Sequence, residues 1–419
     1  MPSHLAFDTI AAAVDQVLDR IPGTIVLGVP LGIGKPNPFV NALYRRIKAN
    51  PARRLRIITA LSLEKPVGKS DLERHFLEPL VERVFGDYPD LDYVKDSRGG
   101  GLPENIEVHE IFMKTGDYLG NEAAQRGYIS SNYTHIARDM ALQGMNVIAQ
   151  AVAARGDGDT LRLSLSSNPD VIFEGKEKFA AMGLPLLTVG VVNRRMPFMP
   201  NTAEVAPDFF DIVVTDPAAT HTLFGPPNNK VGAADYAIGL HAASLVPDGG
   251  TLQIGIGSLG DAIAQALIVR DRHGDEYRRI LESLCPDGLD GRELGRFDTG
   301  LYGCSEMFVN GFLKLIEAGI VRREVFGDAA LQRILNERDG DEAVTPELLR
   351  ALLDARRIRA RLDESDLEFL RHYGILRPEV RLVGDEHLGC GDARAANDLR
   401  DDAAFETVCA HMLGSRLTH

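Results

Sequence analysis

The segment 250–267, GTLQIGIGSLGDAIAQAL, places a glycine-rich turn between a short apolar run and an apolar helical pattern. The apolar run predicts a strand, and the residues after the turn follow helical spacing. Gly255, Gly257 and Gly260 form a Gly-x-Gly-x-x-Gly pattern, which is typical of a backbone turn that approaches an anionic ligand. From the pattern alone, a dinucleotide site, a cradle for another ligand and a purely structural turn all stay open.

A strand, a glycine-rich loop and a helix also follow one another near the start of the chain, over residues 24–47. There Asn37 and Pro38 suit the N-cap and the first position of a helix. Alternating strands and helices predict an α/β fold with a largely parallel sheet. The two similar turns indicate a weak internal repeat of two α/β halves, joined by a linker near 216–235. Further apolar runs that predict strands lie at 55–62, 145–153, 185–192 and 211–215.

The residues after the second glycine turn disfavour a nicotinamide or flavin site. A dinucleotide-binding unit needs a second strand that ends, about 20 residues on, in an acid that binds ribose. Here the chain continues into the charged helical stretch 268–284, and Asp271, Asp275 and Glu276 lie within that stretch instead of at a strand end.

Charge and hydropathy restrict the kind of partner. The chain carries 46 Lys and Arg against 60 Asp and Glu, a net charge of −14. This charge disfavours nucleic acid or an anionic membrane surface as the main partner. No apolar run reaches the roughly 18–20 residues of a membrane helix, and residues 1–23 lack a signal-peptide pattern. We therefore expect a cytoplasmic protein with no membrane segment.

Neither the cysteines nor the histidines indicate a metal site. Cys285, Cys304, Cys390 and Cys409 form no C-x-x-C pair, so neither zinc binding nor a disulfide framework is predicted. The histidines His135 and His241 have no partners at metal-ligand spacing, and we interpret them as structural. No metal is expected.

A second segment, 299–321, places a single carboxylate just ahead of an apolar helix. Glu306 lies there among Gly, Ser, Cys and Met. Taken alone, such an acid is most often a residue that the helix dipole favours at a helix N-terminus. Cys304, two residues away, has no histidine near it in sequence and is interpreted as a small core residue.

Together the two segments resemble the acetyl-CoA hydrolase/transferase family, the class I CoA-transferases typified by 4-hydroxybutyrate and succinyl-CoA:acetate CoA-transferases. The chain's 247-PDGGTLQIGIG-257 is similar to the family's phrase P-D-G-A-T-L-Q-L-G-I-G, and 303-GCSEMFVNG-311 to its G-x-H-[ST]-E-M-x-x-D-G segment. Residues 145–167 and 191–214 look like first-domain strands of the family.

The resemblance implies two CoA-transferase-like α/β domains with mostly parallel sheets, at 1–218 and 230–419. It also implies that the second domain is incomplete. The family's S-G-x-G-G-Q-x-[DN]-F loop is not found in 322–419, and a helical insertion occupies about 322–380. Within it, Thr345 and Pro346 suit a helix start. The final 40 residues indicate a loop and a short helix.

The activity implied by the resemblance is exchange of CoA between an acyl-CoA and a small carboxylic acid, with Glu306 as nucleophile. CoA contacts would come from the turn, namely Gly255, Ile256, Gly257, Ser258 and Leu259. The loop 28–36, with Lys35, is either a contact to the acyl group or a plain turn. An acyl-CoA hydrolase, and an inactive remnant or partner subunit that needs a second chain, stay as alternatives. A homodimer is expected because two-fold dimers are the commonest assembly.

Overall fold

The computed structural model describes residues 5–99, 101–225, 230–285, 287–305, 307–338 and 341–418. The chain divides into two compact units, Met1–Pro227 and Asn228–His419. The domain ranges 1–218 and 230–419 stay predictions. Among the described residues, no helix combines the length and apolar character needed to cross a membrane.

The first unit is built on a sheet whose seven-strand path, β1-β9-β7-β5-β2-β3-β4, is parallel throughout. Two short strands, β6 and β8, extend it by antiparallel pairing next to β5. The central strands are buried along their whole length, as expected when helices cover both faces of a parallel sheet. The strands are β1 Leu5–Phe7, β2 Ile25–Gly28, β3 Leu55–Thr59, β4 Ile106–Glu110, β5 Val147–Arg155, β6 Arg162–Ser164, β7 Leu187–Val192, β8 Glu204–Val205 and β9 Ile212–Val214.

Helices pack on both faces of this sheet and enclose two separate apolar cores. The predicted helix at 5–20 begins later, at Ile10, because residues 5–7 pair with β9 as a strand. The helix predicted after the first glycine loop begins at Asn37, with Pro36 as its N-cap residue. The helices are α1 Ile10–Arg20, α2 Asn37–Lys48, α3 Asp71–Phe85, α4 Asp92–Gly99, α5 Glu122–Arg126, α6 Ile136–Leu142 and α7 Asp170–Ala181. The predicted α/β fold with a mostly parallel sheet is confirmed.

The strand order of the first unit reverses between β2 and β5. From β2 the chain proceeds outward to β3 and β4, whereas β5, β7 and β9 are added on the other side. In open α/β sheets such a reversal leaves a crevice at the carboxyl ends of the two strands, where ligands commonly bind.

The first part of the second unit has only two described strands, paired in parallel. Helices α9 and α11 pack against one another beside them, and Leu252, Leu267 and Leu315 belong to the apolar core of this part. The elements are α8 Ala233–Ala243, β10 Thr251–Gln253, α9 Ser258–Arg272, α10 Gly274–Leu284, β11 Tyr302–Cys304 and α11 Asn310–Glu317.

The rest of the second unit forms an apolar core of its own, from Phe326 to Leu417. As predicted, Thr345 caps a helix that begins at Pro346. The final residues differ from the expected loop and short helix, because 381–396 form a three-stranded antiparallel sheet before the helix. The elements are α12 Ala329–Asn336, α13 Pro346–Asp354, α14 Glu364–His372, β12 Arg381–Val383, β13 His387–Cys390, β14 Ala393–Ala396 and α15 Asp402–His411.

Candidate functional site

The parallel pairing of β10 and β11 brings the two sequence motifs of the second unit together. Thr251 pairs with Tyr302, and Gln253 pairs with Cys304. Because parallel strands end at the same edge of a sheet, the glycine turn after β10 and the segment after β11 leave the sheet side by side. A hydrogen bond of 3.0 Å from the Ser305 hydroxyl to the Ile254 carbonyl joins the two segments directly.

The glycine turn leads straight into the first turn of α9. Gly257 is the N-cap residue, with φ 128° and ψ 171°, a conformation that is essentially restricted to glycine. It offers no side-chain cap, so the first N–H groups of α9 have no side-chain acceptor from that position. A Cβ atom at Gly260 would lie 2.4 Å from the Gly255 carbonyl oxygen, which explains the third glycine of the motif. The turn therefore offers backbone N–H groups at a helix N-terminus.

The predicted CoA-binding residues all lie in this loop and helix start: Gly255, Ile256, Gly257, Ser258 and Leu259. The predicted nucleophile, Glu306, lies outside the described residues, so its role stays a prediction. Its described neighbours, Ser305 and Met307, are joined by a hydrogen bond from the Ser305 hydroxyl to the Met307 carbonyl.

Exposed apolar side chains lie on both segments of this edge. Ile256 is 55% exposed and Phe308 is 63% exposed, and Leu259 and Met307 are also exposed. Apolar surface next to free backbone N–H groups is suited to a ligand that has an apolar part and an anionic or carbonyl part. Within the described ranges, no group of three or more His, Cys, Asp or Glu side chains is arranged to hold a metal ion.

Asp248 fixes the start of β10 against the start of β11. Its carboxylate accepts hydrogen bonds from the backbone N–H groups of Gly249, Asp298, Thr299 and Gly300, at 2.8–3.0 Å. Partial burial would raise the pKa of Asp248, but these four hydrogen bonds together lower it. The carboxylate therefore holds the register that places the two motifs side by side.

We expect Asp248→Asn to destabilise the second unit by about 1–3 kcal/mol, because an amide nitrogen would face two of the N–H donors. Since the pKa is lowered in the folded state, the stabilisation by Asp248 is present above the ordinary carboxyl pKa and is lost as the pH falls through the lowered value. Urea unfolding at pH 7 and pH 3 measures both effects. Asp290→Asn is the control, because Asp290 is exposed and lies in the loop after α10. An equal effect of the two substitutions would contradict the role of Asp248 in holding the register of β10 and β11.

In the first unit, Lys35 belongs to the loop after β2 but does not face solvent. Its side chain is 1% exposed, and its ammonium donates hydrogen bonds to the carbonyls of Pro30, at 2.7 Å, and Ala60, at 2.5 Å. These carbonyls follow the neighbouring strands β2 and β3. Of the two interpretations of this loop, the structure favours the plain turn, in which Lys35 ties the loop to the ends of the two strands.

Sequence reasoning did not identify a small cavity beside this loop, at the carboxyl ends of β2 and β3. Its volume is about 50 Å³, and its lining is apolar except for the amides of Gln150 and Asn168 and the phenol of Tyr133. Gln150 is buried, and its side-chain amide donates a hydrogen bond of 2.8 Å to the Asn168 carbonyl. The signal available in the sequence was a single amide within the apolar run of β5.

Burial lowers the pKa of Lys35 to about 7, and the nearby carboxylate of Glu110 opposes this change. Between about pH 7 and pH 10.5, Lys35 is therefore protonated in the unfolded chain but neutral in the folded protein. Because the unfolded state binds one more proton, the free energy of unfolding increases as the pH rises across this window. We expect Lys35→Met to lose this gain, which is on the order of 3–5 kcal/mol. Denaturant unfolding of both proteins at pH 7 and pH 10 measures it. Parallel pH profiles would contradict the assignment.

Comparison with known proteins gives one curated relative of note. The chain is 27% identical over 138 residues to the 4-hydroxybutyrate coenzyme A transferase of Clostridium kluyveri, a match that covers 33% of this chain and 25% of that protein. The chain thus spans about a quarter of the length of the relative. No family model matches the sequence.

The solved structures that match the chain are more distant in sequence. RipA from Yersinia pestis is 17% identical, with 76% of this chain and 59% of RipA covered and a TM-score of 0.48. The 4-hydroxybutyrate CoA-transferase of Porphyromonas gingivalis is 16% identical. The match covers 76% of this chain and 58% of that protein, with a TM-score of 0.41. The curated match confirms the resemblance drawn from the two motifs: over about a third of its length the chain is similar to a 4-hydroxybutyrate coenzyme A transferase.

Proposed function

We propose that the chain transfers CoA between an acyl-CoA thioester and a small carboxylic acid, with Glu306 as the nucleophile. The observation that carries this proposal is the parallel register of β10 and β11, together with the hydrogen bond from Ser305 to Ile254. Both bring the glycine turn next to the residues that flank position 306. The sequence similarity to a 4-hydroxybutyrate coenzyme A transferase adds support.

The reaction follows from the chemistry of a carboxylate and a thioester. The Glu306 carboxylate attacks the acyl carbonyl, and the CoA thiolate leaves, which gives a mixed anhydride. The thiolate then attacks the glutamyl carbonyl and releases the first acid, which leaves a glutamyl-CoA thioester. The second acid reverses these steps. Every bond broken is replaced by one formed, so the energy of the thioester is conserved.

The turn 255–259 would stabilise the oxyanion that forms at each step. Backbone N–H groups at a helix N-terminus are fixed before the reaction begins, which is the property that such stabilisation needs. The exposed side chains of Ile256, Leu259 and Phe308 would contact the apolar parts of the acyl-CoA. None of the proposed reaction steps uses a metal ion.

Isotope exchange distinguishes the possible activities. Acetyl-CoA incubated with ¹³C-labelled acetate should yield labelled acetyl-CoA if the chain is a transferase. Release of free CoA without labelling would identify the alternative acyl-CoA hydrolase, in which water intercepts the intermediate. If neither labelled acetyl-CoA nor free CoA forms, the result favours the inactive remnant or partner subunit and contradicts the proposed activity of this chain.

We also propose that the protein is cytoplasmic and assembles as a homodimer. Among the described residues, β10 and β11 have no strand neighbours beyond each other. Apart from a bridge between Leu301, just before β11, and Val321, their outer edges therefore carry backbone groups that a further strand can pair with. This edge supports the alternative in which a second, different chain completes the sheet. Light scattering of the purified protein distinguishes the two, since only the homodimer doubles the mass without another polypeptide.

A further inference from the structure

A thiol and an imidazole lie next to each other in the second unit, on helices that are far apart in sequence. The Sγ atom of Cys285, at the end of α10, is 3.5 Å from Nδ1 of His241, in the last turn of α8. A cysteine with an imidazole in hydrogen-bonding reach has the arrangement of an activated nucleophile, because the imidazole accepts the thiol proton. Cys285 is only partly buried.

The end of α8 that carries His241 is held in place by hydrogen bonds. The hydroxyl of Ser244 donates to the His241 carbonyl at 2.7 Å, and the hydroxyl of Tyr277 donates to the Leu240 carbonyl at 2.8 Å. The imidazole lies in the last turn of one helix, opposite the C-cap residue of another. Both helix C-termini favour a positive charge, so the position suits a proton acceptor.

Tyr277, on α10, connects Cys285 electrostatically with the charged groups of this region. It interacts with Cys285, with Arg270 on α9 and with Arg292 on the loop that follows α10. Arg270 interacts in turn with the carboxylates of Asp248, Asp271 and Glu293. Burial raises the pKa of Tyr277, so its phenol stays neutral. The guanidinium of Arg292 donates a hydrogen bond of 3.2 Å to the Ser244 hydroxyl. Through Ser244, the guanidinium of Arg292 is therefore held close to the end of α8 that carries His241.

We propose that Cys285 and His241 form a thiol–disulfide exchange site for low-molecular-weight disulfides. The Cys285 sulfur attacks one sulfur of the disulfide, and a new sulfur–sulfur bond forms as the old one breaks. His241 takes the thiol proton and passes it to the departing thiolate. The products are a mixed disulfide on Cys285 and one free small thiol, and no other oxidant is consumed.

The remaining cysteines provide internal controls. Cys390 is partly buried like Cys285, Cys304 is exposed, and burial raises the pKa of Cys409. In the part of the chain that the structure describes, none of these three thiols has an imidazole within hydrogen-bonding distance. Each of the four lies in a different tryptic peptide.

The test is brief exposure of the native protein to oxidised glutathione at pH 7, followed by trypsin and mass spectrometry. We expect Cys285 to form the mixed disulfide at least about tenfold faster than Cys390, and His241→Gln to remove that advantage while the other three rates stay unchanged. Unchanged rates at those three also show that the variant is folded.

Equal rates at Cys285 and Cys390 in the native protein would overturn the proposal, whether or not the variant folds. A Cys285 rate that is insensitive to His241→Gln, in a variant whose other thiols react normally, would overturn it as well.

Discussion

Glu306→Gln is expected to abolish CoA transfer, with a loss of at least about 1,000-fold in kcat, because an amide can form neither the anhydride nor the thioester. The substitution keeps the size and the hydrogen-bonding capacity of the side chain. It therefore tests the nucleophile itself, and not the packing around it. Isotope exchange between acetyl-CoA and labelled acetate measures the loss.

Glu317→Gln is the matched control, since this exposed glutamate lies on the helix that follows the motif and pairs with Lys314. It should leave the exchange rate within about twofold of the native value, as expected for a surface ion pair. Substantial exchange by Glu306→Gln would show that the nucleophile is another group, and the proposed mechanism would be wrong.

The second large effect is expected at Gly257. Its φ of 128° and ψ of 171° are strained for any other residue, and such a conformation costs about 1–3 kcal/mol. Gly257→Ala should therefore shift the N–H groups that we propose to stabilise the oxyanion. Loss of one such donor typically lowers kcat by about 100- to 1,000-fold. Steady-state kinetics with acetyl-CoA measure it.

Gly274→Ala is the control for the Gly257 substitution. It also replaces a glycine near a helix start, but a Cβ atom there would contact nothing within 4 Å and the backbone is not in the left-handed region. This variant should keep native activity. If Gly257→Ala kept the native kcat while its thermal stability fell, the turn would be structural and not part of the site.

The fold of the first unit could be predicted because its central strands are continuous apolar runs. Strands β2 and β7 are buried at every position, and parallel sheets covered on both faces require this pattern. The antiparallel sheet at 381–396 has no such signal. Its strands have only three or four residues, and Gly384 and Gly391, at φ 61° and 57°, turn the chain between them.

In the candidate site, too, some features could be predicted from the sequence and others could not. The glycine turn could be recognised because its residues are contiguous and glycine has a specific backbone role. The pairing of Cys285 with His241 could not, because the residues are 44 positions apart and only the packing of α8 and α10 brings them together. His241, interpreted from the sequence as structural, lies next to the one thiol for which the structure provides a base among the described residues.

The buried lysine of the first unit marks a further limit of sequence reasoning. A lysine in a glycine-rich loop suggests a charge that meets a ligand. The structure instead places the ammonium of Lys35 between the carbonyls of Pro30 and Ala60. Whether a loop side chain turns inward depends on which backbone carbonyls the neighbouring strands leave free, and the strand order decides that.

The covalent intermediate can be observed directly by mass spectrometry of the protein after incubation with acetyl-CoA. The tryptic peptide 297–314 contains Glu306 and Cys304, so the sample is treated with a phosphine reductant, which cleaves any disulfide on the cysteine but, unlike a thiol, does not exchange with a thioester. The mechanism predicts a CoA-sized adduct on this peptide that withstands the phosphine and is converted by hydroxylamine to a hydroxamate at Glu306. Active protein that turns over acetyl-CoA without such an adduct, or with the adduct on another residue, would contradict it.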